Sequence, residues 1–470
     1  MNFDSYTFLV FWLVVLVLYN RPLSWSAKKN ILLGASYIFY AAWNPPFIIL
    51  LWISTLVDWH VAKKMFTVLR QRQKKLWLGL SLLTNLGLLA YFKYSAFILE
   101  NLEQLLASAG FEHQFPDQNL ILPIGISFYT FQTLSYTIDV YRGQIKPWPS
   151  FRDFALFVSF FPQLVAGPIV RARSLLPQML KPPQHGWNAI ALGTAMIILG
   201  LFQKNVLADG IFAPVADQYF GMASLDGIQA WTASIAFAGQ IFCDFAGYST
   251  IAIGVARSLG FRIAMNFNAP YTAIGFSDFW RRWHISLSKW LRDYLYISLG
   301  GNRRGKWLTL RNLMLTMLLG GLWHGAAWTF AAWGALHGVF LVIERVSINA
   351  IGRGRLQHRF FKPIYALITL VAVLLSWVLF RAESLQQALA MYRVMLNPGA
   401  WTESVTAGAD QLALLSFALL LVAQTLFRNH RQEVWLLRLP WLLTALALGA
   451  MLAILLLSPA PSRAFIYFQF

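Results

Sequence analysis

Charged residues are scarce in this sequence. Only 12% of its 470 residues are Asp, Glu, Lys or Arg, whereas 58% are hydrophobic and the mean hydropathy is +0.54. A soluble globular protein is about 25% charged. Half that charge cannot cover a water-exposed surface of this size, so the chain must be solvated mainly by lipid. We therefore predict an all-α polytopic membrane protein rather than a string of soluble domains.

Cysteine is nearly absent as well. Cys243 is the only one, which excludes an internal disulfide and any zinc or iron–sulfur site built from several cysteines. The sequence also lacks a Walker-type phosphate loop, a Gly-x-Ser-x-Gly nucleophile elbow and a His-Glu-x-x-His zinc motif. These absences exclude the enzyme classes that depend on those motifs. We expect no metal and no tightly bound cofactor.

Acidic residues are outnumbered, with 19 Asp and Glu against 38 Lys and Arg and a net charge of +19. In a soluble protein this imbalance would suggest nucleic acid as a partner. Here the basic residues lie in short clusters between apolar runs, which is how membrane proteins mark their cytoplasmic loops. The first apolar run, 7–20, is followed by Arg21, Lys28 and Lys29. We therefore predict no nucleic-acid binding, a first span that is retained, and an N-terminus outside.

The apolar runs predict about eleven spans, together with re-entrant and interfacial helices. The run 31–59 is broken by Asn-Pro-Pro at 44–46. Each half has roughly 13–14 residues, fewer than the ~20 needed to cross upright. Residues 265–311 are rich in Trp, Tyr and Arg, and we predict helices lying against the cytoplasmic interface. Lys204 and Asp209, with Gln203, are predicted to mark the end of a span.

One histidine lies within an apolar run. His324 is surrounded by small residues in the segment 320–328, directly after Trp323. If the run enters the membrane near Asn312, His324 lies about 18 Å along it, past the midplane. An ionisable group there is a functional candidate, although a structural hydrogen bond between helices is the alternative. We predict that His324 is a general base acting on a hydroxyl. For His337 we predict a structural role at a rim that reaches water.

Aromatic, basic and acidic side chains alternate from Ser277 to Tyr294. An interfacial helix explains most of them, because tryptophans anchor at headgroup depth and arginines reach lipid phosphates. It does not explain His284, or two aspartates among four basic residues. Such a network also suits a phosphate-bearing donor, such as coenzyme A or a phosphopantetheine arm. The candidates for this donor channel are Asp278, Arg281, Arg282, Trp283 and Trp323.

A second polar patch, 240–250, interrupts a long apolar run. Asp244 lies in it, and a carboxylate at membrane depth needs a partner. Two interpretations stay open: a buried hydrogen-bonded network that joins helices, or a further part of the donor channel. Cys243, beside it, is expected to pack as a small apolar side chain.

The Trp-His-Gly segment at His324 resembles the signature of the membrane-bound O-acyltransferase (MBOAT) family. The block 278–288, which contains His284, resembles the same family. Within its bacterial branch, the chain is most similar to the membrane subunits of alginate and other exopolysaccharide O-acetylation systems. The resemblance covers most of the chain. It includes the segments Leu122–Gln132, Phe161–Ile169, Gly300–Arg303 and the aromatic ending Phe465–Phe470.

The resemblance implies one domain over 1–470, with helices around a central funnel. Its parts would be N-terminal helices 1–119, a motif-rich core 120–345 and C-terminal helices 346–470. The protein would lie in a bacterial inner membrane. A thioester, either acetyl-CoA or an acyl-carrier thioester, would enter it from the cytoplasmic side. Its acyl group would pass to a hydroxyl of a cell-envelope polysaccharide or of a periplasmic partner acetyltransferase.

The resemblance also assigns the two histidines. His324 matches the near-invariant histidine of the family, and His284 matches its second, less strict position. The charge pattern places His284 on the cytoplasmic side and His324 beyond the middle of the membrane. We therefore predict that the two histidines occupy opposite ends of one path for the acyl group.

Two alternatives remain open. The first keeps the fold but transfers D-alanyl or another acyl group to a teichoic-acid-like or lipid acceptor. The second is a proton-coupled transporter or channel in which His324 and Asp244 relay protons. The absence of an internal sequence repeat argues against an inverted-repeat transporter. Consumption of a thioester donor distinguishes the acyltransferases from the transporter.

Overall fold

The computed structural model is built from α-helices with short 3₁₀ and π-helical turns, and the residues it describes contain no strand. This confirms the predicted all-α class. The described residues are 1–116, 120–165, 167–183, 186–352, 358–402, 408–428, 440–457 and 463–468. The chain divides into two compact units. The first comprises Met1–Ala191 and Val255–Ala264, and the second comprises Leu192–Gly254 and Met265–Phe470.

The first unit contains long helices at its start and short, interrupted ones toward its end. Its helices are α1 (Tyr6–Tyr19), α2 (Trp25–Ala41), α3 (Ile48–Thr67), α4 (Gln71–Leu89), α5 (Ser95–Ser108), α6 (Ile126–Tyr141), α7 (Phe151–Ser159), α8 (Phe161–Leu164) and α9 (Ala172–Leu175).

The second unit begins within α10 and holds most of α12, whose last residues belong to the first unit. The helices from α10 onward are α10 (Trp187–Leu201), α11 (Ala213–Phe220), α12 (Gly227–Ser258), α13 (Phe276–Arg282), α14 (Ile285–Trp290), α15 (Lys306–His324), α16 (Trp328–Ile351), α17 (Phe361–Arg381), α18 (Leu385–Met395), α19 (Gly408–Leu426) and α20 (Trp441–Leu457).

Six continuous helical stretches in the described part of the chain are long and apolar enough to cross a membrane. This confirms a polytopic membrane protein, while the total of about eleven spans stays a prediction. The six stretches are Pro45–Thr67, Gln71–Ser108, Trp187–Phe220, Trp328–Ile351, Phe361–Arg381 and Gly408–Leu426.

The proline break at 44–46 separates two helices, as predicted, but neither is as short as expected. α2 has 17 residues, and the helical stretch after the break, Pro45–Thr67, has 23. The sequence estimate counted only apolar residues. Lysines such as Lys28 and Lys63 continue the helices beyond those runs, because lysine is a good helix former whose stem packs on apolar surface.

The helix does not end at Lys204 or Asp209, and the prediction that they mark the end of a membrane span stays a prediction. A π-helical stretch, Phe202–Phe212, joins α10 to α11, so the helix continues through both residues. Both side chains are buried, and Lys204 Nζ lies 2.8 Å from Asp209 Oδ1. Pairing with an opposite charge allows such groups to lie away from water.

A hydrogen-bonded cluster joins three helices of the first unit. Asp58 of α3 is fully buried and accepts hydrogen bonds from Ser81 and Asn85 of α4. Thr133 of α6 donates to Asn85 Oδ1 at 3.3 Å. Leaving such groups unsatisfied away from water is costly. The cluster therefore favours one packing arrangement of α3, α4 and α6.

Helices α15 and α16 of the second unit form a tight hairpin. α15 ends at His324, and residues 325–327 connect it to Trp328, the first residue of α16. A Cβ added to Gly325 would lie 2.1 Å from the ring of Phe330. The small residues around His324 therefore fix the turn that presents it.

We expect Gly321→Ala to lower the thermal unfolding midpoint in detergent, because the added Cβ would lie 2.3 Å from the Phe330 carbonyl oxygen on α16. Overpacking of this kind costs about 1–3 kcal/mol. Gly79→Ala is the matched control, since its added Cβ has no neighbour within 4 Å. That substitution should leave the midpoint unchanged or raise it. Equal midpoints for the two variants would contradict the close crossing of α15 and α16.

Candidate active site

The structure brings the two predicted histidines together. His324 ends α15, and His284 lies between α13 and α14; both are buried, and their ring centroids are 6.3 Å apart. The prediction that they occupy opposite ends of a path is therefore wrong. It failed because residues 265–311 were placed at the membrane surface, whereas Trp283 and His284 are fully buried.

Aromatic rings enclose the two imidazoles. Phe245 of α12 meets His284 edge to face at 4.7 Å, and Trp323 lies 6.0 Å from His284 and 5.1 Å from His324. Burial lowers the pKa of the His284 imidazole well below its usual value, because an apolar surrounding disfavours the charged form. The His284 ring is therefore neutral at physiological pH.

The carboxy-terminal segment Arg463–Phe468 contributes a tyrosine ring to this site. Tyr467 lies 5.4 Å from the His324 ring and 6.2 Å from the His284 ring. Burial raises the pKa of the Tyr467 hydroxyl well above its usual value, so it stays protonated. Sequence reasoning used the aromatic ending only as part of the family resemblance and missed its place at the site. Residues 469 and 470 of that motif lie outside the described residues.

Asp244 anchors this segment. Its Oδ2 accepts a hydrogen bond from the Ile466 backbone N–H at 2.9 Å, and its Oδ1 lies 2.5 Å from Lys204 Nζ. The prediction that Asp244 needs a partner at membrane depth is confirmed. Lys204 was not among the predicted site residues. Its position in the π-helical stretch between α10 and α11 gave no sign of the pairing, because Lys204 and Asp244 are far apart in sequence.

A polar cavity of about 340 Å³ lies beside the anchored segment. Arg463 and Arg381 both bind Asp217 at its wall. Three basic and three acidic side chains line the cavity, so its formal charge is balanced. It offers a polar space next to the residue that precedes Tyr467. The lining residues are Lys204, Asp209, Asp217, Gln240, Asp244, Arg381, Arg463, Ala464 and Ile466.

The basic and acidic residues of the predicted donor channel hold loops together. Arg282 Nε lies 3.0 Å from Asp278 Oδ2, and Arg428 Nη2 lies 3.0 Å from the same oxygen. Arg282 also donates to the backbone carbonyl of Asn268 at 3.0 Å. These contacts favour the structural alternative for Arg282 and Asp278. Arg281 differs, because its side chain is exposed.

Trp283 and Trp323, the two tryptophans predicted to line the donor channel, have different surroundings. Trp283 is fully buried in an aromatic core, with Phe267 at 5.0 Å and Trp377 at 4.8 Å. Trp323 contacts both imidazoles. Trp283 therefore supports the neighbouring His284, while Trp323 is a wall of the site.

His337 has a structural role, as predicted, but it does not lie at a rim that reaches water. It is fully buried on α16, and its Nε2 lies 3.0 Å from Ser376 Oγ. The Ser376 hydroxyl donates to the Val373 carbonyl oxygen, so His337 is the donor in this contact. Trp333 contacts His337 at 4.8 Å and His324 at 5.1 Å. Trp333 therefore packs against both histidines.

The chemistry available at this site is that of two imidazoles and a phenol. Within the described ranges, no group of three or more His, Cys, Asp or Glu side chains could hold a metal ion. A neutral imidazole accepts a proton at one ring nitrogen and donates one at the other. Two such rings close together can remove a proton from a hydroxyl and stabilise negative charge that develops nearby.

Comparison with known proteins identifies the family. The sequence matches the MBOAT, membrane-bound O-acyltransferase family over residues 36–391. It is 43% identical over 398 residues to a protein of Azotobacter vinelandii named probable alginate O-acetylase AlgI, covering 84% of this chain and 78% of the relative. It is 41% identical over 391 residues to the peptidoglycan O-acetyltransferase of Helicobacter pylori, covering 77% and 72%.

A more distant relative transfers a different group. The chain is 28% identical over 287 residues to the teichoic acid D-alanyltransferase of Streptococcus thermophilus, covering 56% of this chain and 69% of the relative. The family match includes both histidines of the site. This chain is a membrane O-acyltransferase and belongs to the membrane-bound O-acyltransferase family.

Proposed function

We propose that this chain transfers an acetyl group from a thioester to a hydroxyl of a cell-envelope polysaccharide, directly or through a partner enzyme. The observation that carries the proposal is the pair of buried imidazoles, His284 and His324, 6.3 Å apart. The relatives at 43% and 41% identity are named for O-acetylation of alginate and of peptidoglycan. D-alanyl transfer is the second candidate, supported by the relative at 28% identity.

In the proposed reaction, His324 is the general base. One of its ring nitrogens accepts the proton of the acceptor hydroxyl while the hydroxyl oxygen attacks the thioester carbonyl carbon. A carbon–oxygen bond forms, the carbon–sulfur bond breaks, and the leaving thiolate takes the proton from the His324 imidazolium. His284, held neutral by burial, donates its ring N–H to the carbonyl oxygen as negative charge develops there.

In this proposal, the donor and the acceptor approach the histidines by different routes. The donor is acetyl-CoA or an acyl-carrier thioester, both of which carry phosphate, and exposed Arg281 is the candidate to bind it. Trp323 lines the donor's path, while Asp278, Arg282 and Trp283 support its walls. The polar cavity beside Asp244 suits a hydroxyl-bearing acceptor, because its lining offers hydrogen-bond donors and acceptors.

The proposal also places the protein in the cell. The basic clusters between spans favour a bacterial inner membrane with the N-terminus outside. The acceptor would then be a periplasmic acetyltransferase partner or the polysaccharide itself. We further propose a single domain over 1–470, because the family match at 36–391 includes residues of both compact units.

We expect His324→Gln to lower acetyl transfer by about 100-fold or more, because the reaction loses its general base. His284→Gln should lower it by about 100-fold through the loss of an oxyanion donor. The measurement is transfer of radiolabelled acetyl from a thioester by purified protein in lipid vesicles, normalised to folded protein. The double variant should be little worse than His324→Gln alone, since the two rings serve one step.

His337→Gln is the matched control for these variants, because His337 is an equally buried histidine that contacts neither reacting group in the proposed reaction. Its rate should stay within about threefold of the wild-type rate. Substantial transfer by His324→Gln would refute the assignment of the base. Wild-type protein that consumes neither acetyl-CoA nor an acyl-carrier thioester would refute the acyltransferase proposal and favour a transporter.

We expect Asp244→Ala to lower the acetyl-transfer rate at least about tenfold, because it releases the segment that holds Tyr467 against the histidines. Asp209→Ala is the matched control. Each aspartate binds Lys204; Asp244 also binds the Ile466 backbone near Tyr467, whereas Asp209 contacts the backbone of Arg463 at the start of the segment. Both substitutions leave one carboxylate with Lys204. Equal rates for the two variants would show that the contact with Ile466 has no role in the reaction.

A further inference from the structure

We propose that Asn266 is a positioning residue that holds His284 in its reactive orientation. Asn266 belongs to no motif that identified the site, and it lies outside the aromatic enclosure of the two imidazoles. The inference rests on the proposed function, because it assigns Asn266 a role in the step that His284 assists. Its basis is the backbone conformation of His284 and the hydrogen bonds that maintain it.

The backbone of His284 is strained. Its φ angle is +40°, in the left-handed region, and Ala269 is the other non-glycine residue with positive φ in the described ranges. A residue with a Cβ is disfavoured in such a conformation unless the surroundings enforce it. Strain of this kind persists where neighbouring contacts determine the conformation, and it is concentrated at functional sites.

Asn266 makes those contacts on the chain directly after His284. Its backbone carbonyl accepts from the Ile285 N–H at 2.9 Å, and its side-chain Oδ1 accepts from the Ser286 hydroxyl at 2.6 Å. Asn266 itself is 1% exposed, so water does not compete for these bonds. Two residues beyond it, the Asn268 N–H donates to the Arg282 carbonyl at 3.0 Å. The strained residue is therefore held from both sides.

The other end of the Asn266 side chain is tied to α12. Its Nδ2 donates to Ser249 Oγ at 3.0 Å. One helical turn earlier on α12, Phe245 meets the His284 ring edge to face at 4.7 Å. The same helix thus fixes the backbone turn through Asn266 and the imidazole through Phe245. Together these contacts determine where the His284 ring points relative to His324.

The alternative is a purely structural role, in which Asn266 stabilises the loop without positioning His284 for the reaction. The two roles differ in what they predict for catalysis. Loss of a loop anchor lowers the amount of folded protein and affects binding and turnover alike. Loss of a positioning residue lowers turnover of folded protein, because a misplacement of about 1 Å can cost about 100-fold in rate. Binding of the donor is then nearly unchanged.

The test is Asn266→Ala in full-length protein, assayed with radiolabelled acetyl-CoA or acetylated carrier protein and normalised to monodisperse protein. We expect kcat to fall about 10- to 100-fold while KM for the donor stays within about twofold. Asn85→Ala is the matched control, a buried asparagine of the first unit that binds Asp58. Its kcat per folded protein should stay within about threefold.

A His284→Gly background separates positioning from general stability. Glycine adopts the left-handed conformation without strain, and added imidazole replaces the missing ring. We expect Asn266→Ala to change the imidazole-restored rate by less than about twofold, because no attached ring remains to be positioned. A fall in the restored rate as large as that in the wild-type background would overturn the proposal.

A cryo-EM structure of Asn266→Ala gives a readout that does not depend on activity. We expect the His284 ring to move away from its 6.3 Å separation from His324. An unchanged ring position, or an unchanged kcat, would overturn the proposal while leaving the acyltransferase function intact. Failure of the proposed function itself would be visible separately, as a wild-type protein that transfers no acetyl group.

Discussion

The second unit must hold two imidazoles side by side in an apolar interior, and the rest of its structure depends on this constraint. Neither ring can be solvated by water there, so each position must be fixed by packing and hydrogen bonds. The hairpin of α15 and α16 provides this for His324, because close-approaching glycines and a turn of small residues leave the ring at the helix end. The turn between α13 and α14 provides it for His284.

The charged groups of the second unit also help to hold the two imidazoles in place. Lys204 pairs with both Asp209 and Asp244 in the interior, and Asp244 uses its second oxygen to hold the Ile466 backbone. Their burial would be costly without this pairing. The result is a carboxy-terminal segment that is anchored in the unit and presents Tyr467 to both histidines. The contacts of Asp244 that stabilise the unit thus also hold Tyr467 at the proposed reaction site.

Sequence patterns predicted the parts of this account that depend on composition and local motif. Low charge and long apolar runs indicated a helical membrane protein, and an isolated histidine among small residues indicated His324. The block around His284 and its resemblance to the MBOAT family were equally visible. These signals are local, because they depend on residues that are neighbours in the chain.

The remaining features depend on contacts between distant segments, and no local pattern encodes them. The meeting of His284 and His324 was missed because hydropathy assigned an amphipathic stretch to a surface, although its central residues are buried. Lys204 looked like the end of a span, since its partner Asp244 lies on another helix. Tyr467 gave no signal of its position, because aromatic residues are common throughout a membrane protein.

The central claim is that both histidines act on one acyl group. A cryo-EM structure of the protein with a non-hydrolysable acetyl thioether analogue of the donor tests it most directly. The account predicts that the analogue's carbonyl group lies between the two rings, with its oxygen about 3 Å from a His284 ring nitrogen and its carbon open to a hydroxyl beside His324. A carbonyl group bound beside one ring and beyond about 6 Å of the other would contradict a shared site.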